Sequence, residues 1–318
     1  MTSRRFLAFV ALGLVSAASA AVAFDVYADI YGLFLPARGR TLSIYGEERL
    51  AKYLHSFRYV PDNFDGVLLG SSVSDSIDTR LFPGYRIYNA SINGGNVADM
   101  RPIAENLFAR RKYSLTMVSV HRFLTKDHDL KTDLMQPRQY WGALGSPQLL
   151  TAYISFMAVR LGMLPGHYDD RGTLHYMSGP DSRKSRRLIE QTVADIGRGA
   201  SPIGNYDIDP VALSDLGQVL KLARSRSRRL VVYFPPNPDR ILAIRQAEYA
   251  GYRAQIGSLL RATDIVVDFN TPAYAGMRSD YENFEDGVHP SRTGARLVVL
   301  ELGRAVAAAD STVEANAR

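Results

Sequence analysis

The sequence predicts an α/β protein built as a three-layer sandwich, with a five-stranded parallel sheet between two layers of helices. Five short apolar runs, most of them rich in Val, Leu and Ile without polar alternation, are typical of strands buried on both faces of a sheet. Helical patterns separate these runs, and strands that alternate with helices indicate a parallel sheet. The composition, 46% hydrophobic and 22% charged over 318 residues, is that of a globular protein with a sizeable core.

The predicted elements divide the chain into an N-terminal segment, a connecting segment, one α/β domain and a tail. The strands are expected at 66–69, 86–88, 115–120, 230–234 and 265–269, and the main helices at 100–111, 211–224, 241–262 and 294–309. No strand signal occurs between about 122 and 209, so we expect a helical insertion between strands three and four. It contains an apolar helix at 148–164 and is expected to act as a lid or a partner surface. The connecting segment is 25–64, the domain 65–309, and the tail 310–318 is expected to be frayed.

The N-terminus has the pattern of an export signal. Arg4 and Arg5 precede an apolar stretch at 6–24 that ends in small residues. The stretch is also close to the length of a membrane-spanning helix. Residues 1–24 are therefore interpreted either as a cleaved signal peptide or as a retained inner-membrane anchor. A helix of the protein core is the less favoured alternative. Either export interpretation predicts that the body of the protein is periplasmic or otherwise extracytoplasmic.

Composition and charge exclude several classes of function. The chain has no cysteine, which excludes disulfides, thiolate metal sites and a cysteine nucleophile. The net charge is +6, with basic runs at 182–187 and 224–229. No nucleic-acid-binding motif accompanies either run, so we expect solvated surfaces and no nucleic-acid partner. No motif predicts a cofactor or a metal.

A serine turn and a distant histidine are the best candidates for chemistry. In "DGVLLGSSVSDSID" at 65–78, Gly70 ends a strand and exposes Ser71 and Ser72 at its carboxyl end, where parallel sheets bind ligands. A serine attacks only when a base takes its proton. His289 follows the last strand, and Asp286 lies one turn upstream, within reach of the imidazole Nδ1. The other histidines with polar surroundings are predicted at the surface: His55, His128, His167 and His175.

A glycine-rich loop after the second predicted strand can stabilise negative charge. In "YNASINGGN" at 88–96, Gly94 and Gly95 allow a backbone N–H to approach a ligand closely. Such donors stabilise the oxyanion of a tetrahedral intermediate. Without the other motifs, an ordinary glycine turn explains the segment equally well.

Taken in order, "GSS", "NASINGG" and "DGVH" resemble the three corresponding motifs of the SGNH (GDSL-type) hydrolase family. The resemblance covers about 65–308 apart from the insertion, and it implies a flavodoxin-like order of strands. It makes Ser72 the nucleophile, with His289 as its base and Asp286 orienting the imidazole. It also makes Ser72 and Gly94 donors of the oxyanion hole.

One motif departs from the family pattern. Where the family has Gly-x-Asn-Asp after the third strand, this chain has "LTMVSVHRFLTKD", which lacks the oxyanion-hole asparagine. His121 or Arg122 is the candidate replacement. The departure, and the segment "DVYADIYGLF" after the apolar N-terminus, resemble a divergent membrane-anchored branch that assists O-acylation of exported polysaccharides.

Two functions remain open at this stage. The first is an exported serine acylesterase or O-acyltransferase, which takes an acyl group, an acetyl above all, from a donor and acts on a glycan or envelope polymer. Its expected partners are the inner membrane, through the N-terminal segment, and a multi-span membrane acyltransferase. The second is a non-catalytic binding or assembly protein of the cell envelope, which the missing asparagine favours.

Overall fold

A computed structural model, which describes residues 3–126, 135–175, 181–200 and 205–316, contains the predicted five-stranded parallel sheet. The strands are β1 (Gly66–Leu69), β2 (Ile87–Asn89), β3 (Tyr113–Ser119), β4 (Ser227–Phe234) and β5 (Ile265–Asp268). Their order across the sheet is β2-β1-β3-β4-β5, with every neighbouring pair parallel. This is the flavodoxin-like order, so the predicted fold class is confirmed. The order reverses between β1 and β3, which is where such sheets bind ligands.

Helices precede the sheet, cover both of its faces and fill the insertion. They are α1 (Ser3–Ala28), α2 (Glu48–His55), α3 (Tyr59–Asn63), α4 (Ser72–Asp75), α5 (Val97–Arg110), α6 (Arg138–Gly142), α7 (Pro147–Arg160), α8 (Ser182–Gly197), α9 (Pro210–Arg226), α10 (Asp239–Ile244), α11 (Gln246–Gly257), α12 (Ala275–Ser279) and α13 (Arg292–Asn316). Helices α6 to α8 lie between β3 and β4, so the predicted helical insertion is present. Helix α13 extends beyond the predicted end at residue 309.

The core consists of two apolar layers, one on each face of the sheet. Successive side chains of a strand point to opposite faces. Accordingly, Val67 and Leu69 of β1 pack with residues of α2, α5, α9 and α11, whereas Leu68 packs with α13. The result is the predicted three-layer sandwich. The loops that follow the strands lie at the carboxyl edge of the sheet.

Two sequence predictions about helices are wrong in detail. The single helix predicted at 241–262 is interrupted at Arg245, whose φ of −117° and ψ of 20° leave the helical region, and it ends at Gly257. The connecting segment 25–64 contains α2 and α3, which the periodicity did not reveal. Helix α2 forms because four of its eight residues are apolar and buried: Leu50, Ala51, Tyr53 and Leu54.

His55, predicted at the surface, is fully buried at the end of α2. Its Nδ1 lies 2.9 Å from the Tyr88 hydroxyl, and its ring packs 4.9 Å from that of Tyr59. Burial, reinforced by the charge of Lys52, lowers the pKa of His55 to about 4. His167 is exposed and His175 partly exposed, whereas His128 lies outside the described residues.

We expect the free energy of unfolding to fall between pH 6.5 and pH 4. The unfolded chain protonates His55 near pH 6.5, but the folded protein resists protonation until about pH 4. The stabilisation is therefore complete above the unfolded pKa, and its loss by pH 4 amounts to about 3 kcal/mol. Urea unfolding at a series of pH values measures this slope. A His55→Gln variant, which keeps a partner for Tyr88, should have a shallower slope, and an unchanged slope would contradict the prediction.

Candidate active site

The serine turn leaves β1 through Gly70, a position with no room for a Cβ unless its neighbours shift. A Cβ on Gly70 would lie 2.2 Å from Ser74 Oγ and 2.8 Å from Ser119 Cβ. Because glycine has no Cβ, the chain can pass this point and begin α4 at Ser72. The turn brings the Ser72 hydroxyl to the carboxyl edge of the sheet, next to the point where the strand order reverses.

The structure brings Ser72, His289 and Asp286 into one hydrogen-bonded chain. His289 Nε2 lies 3.0 Å from Ser72 Oγ, although the two residues are 217 positions apart in the sequence. His289 Nδ1 lies 2.9 Å from Asp286 Oδ2. An ionised carboxylate only accepts hydrogen bonds, so Nδ1–H donates to it and the bare Nε2 accepts the hydroxyl proton of Ser72. This arrangement allows an imidazole to deprotonate a serine as it attacks.

The loop before α13 holds Asp286 in place. Its Oδ1 accepts the backbone N–H groups of Val288 at 2.7 Å and His289 at 2.8 Å. Burial raises the pKa of Asp286, but the hydrogen bonds from the His289 ring and from these two N–H groups outweigh it, so the pKa lies below its ordinary value. The carboxylate therefore stays ionised at neutral pH, as its role toward the imidazole requires.

The site is open to solvent, and the insertion contacts it from the side. The side chains of His289 and Asp286 are 28% and 38% exposed. Within the insertion, the Leu174 N–H donates to the Asp75 carbonyl at 3.0 Å, and the Arg171 carbonyl accepts from Asn89 N–H at 2.7 Å. These contacts tie the insertion to α4 and β2. Ser72 itself is partly exposed, so solvent reaches all three side chains of the site.

The loop that carries Gly94 is joined to the serine turn. Its Ile92 N–H donates to the Gly70 carbonyl at 3.1 Å, in a short parallel bridge between Ser71 and Ile92. Gly94 has a φ of +61°, a left-handed conformation that favours glycine. The candidate oxyanion donors Ser72 and Gly94 therefore belong to two loops that are hydrogen-bonded to each other.

His121 follows β3 at the same edge of the sheet and is only 4% exposed. Its Nδ1 has no hydrogen-bond partner among the residues that the structure describes. Burial lowers the pKa of His121 well below its ordinary value, and the charge of the neighbouring Arg122 lowers it further. His121 is therefore neutral at physiological pH, and it directly follows β3 at the edge of the sheet that carries Ser72.

Arg122, the alternative donor, is directed elsewhere. Its side chain is fully buried, and its Nη1 donates to the Tyr206 hydroxyl at 2.9 Å and to Asn237 Oδ1 at 3.2 Å. The guanidinium also lies 5.0 Å from the centre of the Tyr206 ring. These contacts tie the loop after β3 to the insertion and to the loop after β4.

Three charged residues of α2, which the sequence analysis did not single out, hold the backbone of the Gly94 loop. Glu48 Oε1 accepts the Asn93 N–H at 3.1 Å, and Arg49 Nη2 donates to the Asn93 carbonyl at 3.1 Å. Lys52 Nζ donates to the Ser91 carbonyl. Glu48, Arg49 and Lys52, called the α2 clamp below, thus fix the backbone on both sides of residue 92.

Lys52 also connects the clamp to the helix that begins with Ser72. Its side chain is fully buried, with Nζ 2.5 Å from Asp75 Oδ1 and 3.1 Å from Glu48 Oε1. Tyr168 of the insertion donates to Asp75 Oδ2 at 3.2 Å. Burial lowers the pKa of Lys52, but the Asp75 and Glu48 carboxylates more than offset it and raise the pKa above its ordinary value. The only sequence signal was a Glu–Lys pair four residues apart on one helix, which is also typical of solvent-exposed helices.

The fold and the site define an α/β protein that carries a Ser-His-Asp arrangement at the carboxyl edge of a flavodoxin-like sheet. Among the residues that the structure describes, no three His, Asp or Glu side chains are grouped so that they could hold a metal ion. The side chains that can act chemically at this edge of the sheet are those of Ser72, His289 and Asp286.

The chain is similar to several solved structures. It shares 12% identity with a candidate acylhydrolase from Bacteroides fragilis, with a TM-score of 0.37 over 77% of this chain and 86% of that one. It shares 12% identity with a candidate platelet activating factor from Streptococcus pneumoniae, with a TM-score of 0.39 over 80% of this chain and 89% of that one. It shares 14% identity with a candidate GDSL-like lipase from Parabacteroides merdae, with a TM-score of 0.37 over 76% of this chain and 94% of that one. No family model and no curated protein sequence matches the chain significantly.

Proposed function

We propose that this protein is an exported serine acylesterase or O-acyltransferase of the SGNH type. One observation carries the proposal: His289 Nε2 lies 3.0 Å from Ser72 Oγ while Nδ1 lies 2.9 Å from Asp286 Oδ2. In this geometry His289 can activate the Ser72 hydroxyl for attack on an acyl ester. The sequence resemblance to the SGNH family and the glycine loop joined to the serine turn support the same chemistry.

In the first half-reaction, Ser72 Oγ attacks the carbonyl carbon of an acyl ester, and His289 Nε2 takes the hydroxyl proton. The negative charge that develops on the carbonyl oxygen is stabilised by the backbone N–H groups of Ser72 and Gly94, with the neutral imidazole of His121 as the third donor. His289 then gives its proton to the leaving oxygen as the carbon–oxygen bond breaks. An acyl ester on Ser72 and a free alcohol result.

In the second half-reaction, His289 takes the proton of the acceptor hydroxyl as its oxygen attacks the acyl carbon, and His289 then returns that proton to Ser72 Oγ as the bond between the acyl carbon and Oγ breaks. Water as acceptor gives an esterase, and a sugar hydroxyl gives an O-acyltransferase. The open site, with the two triad partners of Ser72 about one third exposed, suits a glycan or another envelope polymer better than a small enclosed substrate. We propose acetyl as the acyl group and a glycan as the substrate.

The proposed location is supported by α1, which is compatible with either a signal peptide or a membrane anchor. It has 26 residues, its most apolar 18-residue window has a mean hydropathy of 2.2, and none of that window is buried. We propose that α1 is a retained anchor and that the body lies on the outer side of the inner membrane. A multi-span membrane acyltransferase beside it would be the source of acyl groups.

The function is tested with the full chain in detergent micelles and 4-nitrophenyl acetate as substrate. We expect release of 4-nitrophenol well above that of a Ser72→Ala control. Adding an oligosaccharide separates the two reactions, because a transferase forms acetylated sugar at the expense of free acetate. Mass spectrometry of the sugar measures this partition. Formation of acetate alone would identify an esterase.

The alternative is a non-catalytic binding or assembly protein with the same fold. The observation that favours it is the replacement of the expected asparagine by a buried histidine, His121. In this case the full chain would cleave 4-nitrophenyl acetate no faster than the Ser72→Ala variant. The same experiment therefore distinguishes the two functions.

A further inference from the structure

Helix α7 of the insertion has two apolar sides, of which only one is buried. Leu149, Ala152 and Tyr153 are at most 5% exposed and pack into the protein core. A second set is largely exposed: Leu150 (61%), Ile154 (61%), Met157 (43%) and Leu161 (68%). Spacings of four, three and four residues place this set, called the apolar face of α7 below, within a helical sector of about 60°. A soluble helix normally has polar residues in that position.

The apolar face lies beside the point where α1 joins the body. The Phe24 and Tyr153 rings are 5.6 Å apart, and the Tyr153 hydroxyl donates to the Asp25 carbonyl at 3.2 Å. Tyr153 lies at the edge of the buried side of α7 that is next to the apolar face. The end of the exposed apolar helix α1 is thus continuous with the exposed apolar side of α7.

Further exposed apolar side chains and one cation extend this surface. Met163 and Leu164, just after α7, are 71% and 51% exposed, and Arg160 at the end of α7 is exposed as well. Trp141, the single tryptophan of the chain, is 69% exposed in the neighbouring α6. Tryptophan and arginine beside aliphatic residues are typical of the boundary between lipid and water.

We propose that the apolar face of α7 is inserted in the outer surface of the lipid bilayer that α1 spans, with the axis of α7 lying along that surface. The inference rests on the proposed anchor role of α1 and goes beyond the proposed chemistry. A bilayer is favoured over a protein partner because an apolar helix that requires lipid contacts α7 directly. The anchor and α7 would then fix the orientation of the body on the membrane by two separate attachments.

The natural absence of cysteine makes a direct test possible. Single-cysteine variants Ile154→Cys, in the apolar face, and Ser155→Cys, in the polar sector of the same helix, are labelled with an environment-sensitive fluorophore. The labelled full-length chains are reconstituted in phosphatidylethanolamine–phosphatidylglycerol vesicles that contain lipids with brominated acyl chains. For an interfacial helix we expect the label at position 154 to be quenched about three-fold more than the label at 155.

Equal quenching of the two labels would overturn the proposal. So would free access of aqueous iodide to the label at position 154, a result that fits a docking surface for a protein instead. Labelling of Ser72 by a fluorophosphonate in the same samples is an independent readout. A failure of membrane contact is therefore distinguishable from a failure of the proposed serine chemistry.

Discussion

Ser72→Ala should abolish covalent labelling by a fluorophosphonate and lower ester turnover about 10³-fold or more. The probe reacts only with an activated hydroxyl, since Oγ must attack phosphorus and displace fluoride while a base takes the proton. In the proposed mechanism that base is His289, whose Nε2 lies 3.0 Å from Ser72 Oγ. Mass spectrometry of the digested adduct identifies the labelled residue.

Ser71→Ala is the matched control, because it removes the same atom one residue away. Ser71 is buried, and its side chain makes no capping hydrogen bond to α4. We therefore expect labelling of Ser72 to persist in this variant and turnover to change by less than about 10-fold. An adduct on Ser71 or Ser74, or no adduct in a folded wild-type protein, would refute the assignment of Ser72 as nucleophile.

Lys52→Met should lower both stability and ester turnover, although Lys52 lies outside every motif of the sequence. The substitution leaves the buried Asp75 carboxylate without its cation, which typically costs about 3–5 kcal/mol. It also removes the donor to the Ser91 carbonyl, so the loop that carries Gly94 is held less firmly. A displaced oxyanion donor is expected to lower kcat by about 100-fold. Thermal unfolding and 4-nitrophenyl acetate turnover measure the two effects.

A double variant separates stability from positioning. In Lys52→Met with Asp75→Asn, the fully buried Asp75 no longer carries a charge and only the partly exposed Glu48 lacks its cation. We therefore expect part of the stability to return while the Ser91 carbonyl still lacks its donor. Recovery of stability without recovery of kcat supports the role of the α2 clamp in positioning. If kcat returns together with stability, Lys52 is only structural. Lys221→Met, on the exposed side of α9, is the control for loss of a lysine and should change stability by less than about 0.5 kcal/mol.

Prediction from the sequence was most successful for features whose physical cause lies in a few neighbouring residues. Apolar runs without alternation identified all five strands, since a doubly covered sheet requires them. Asp286 and His289 were paired because three residues of loop keep a carboxylate within reach of an imidazole. The convergence of Ser72 with this pair followed from the rule that the loops at the carboxyl ends of parallel strands meet at one edge.

Long-range packing decided what local patterns leave open. Lys52 and His55 lie on α2, where a charged or polar side chain has the same sequence pattern whether it faces solvent or the core. Lys52 is buried and paired because Asp75 and Ser91, which are distant in the sequence, approach its ammonium group. His55 is buried because Tyr88 and Tyr59 pack around its ring.

The two candidates for the missing asparagine illustrate the same distinction. His121 and Arg122 are adjacent in the sequence, and both are donors, so local chemistry could not choose between them. Contacts with Tyr206 and Asn237, which come from other parts of the chain, engage Nη1 of the Arg122 guanidinium. The sequence alone determined the strands, the serine turn and the Asp-x-x-His loop, because each depends on neighbouring residues. Burial and partners at Lys52, His55 and Arg122 were decided by the tertiary structure, because they depend on residues that only folding brings together.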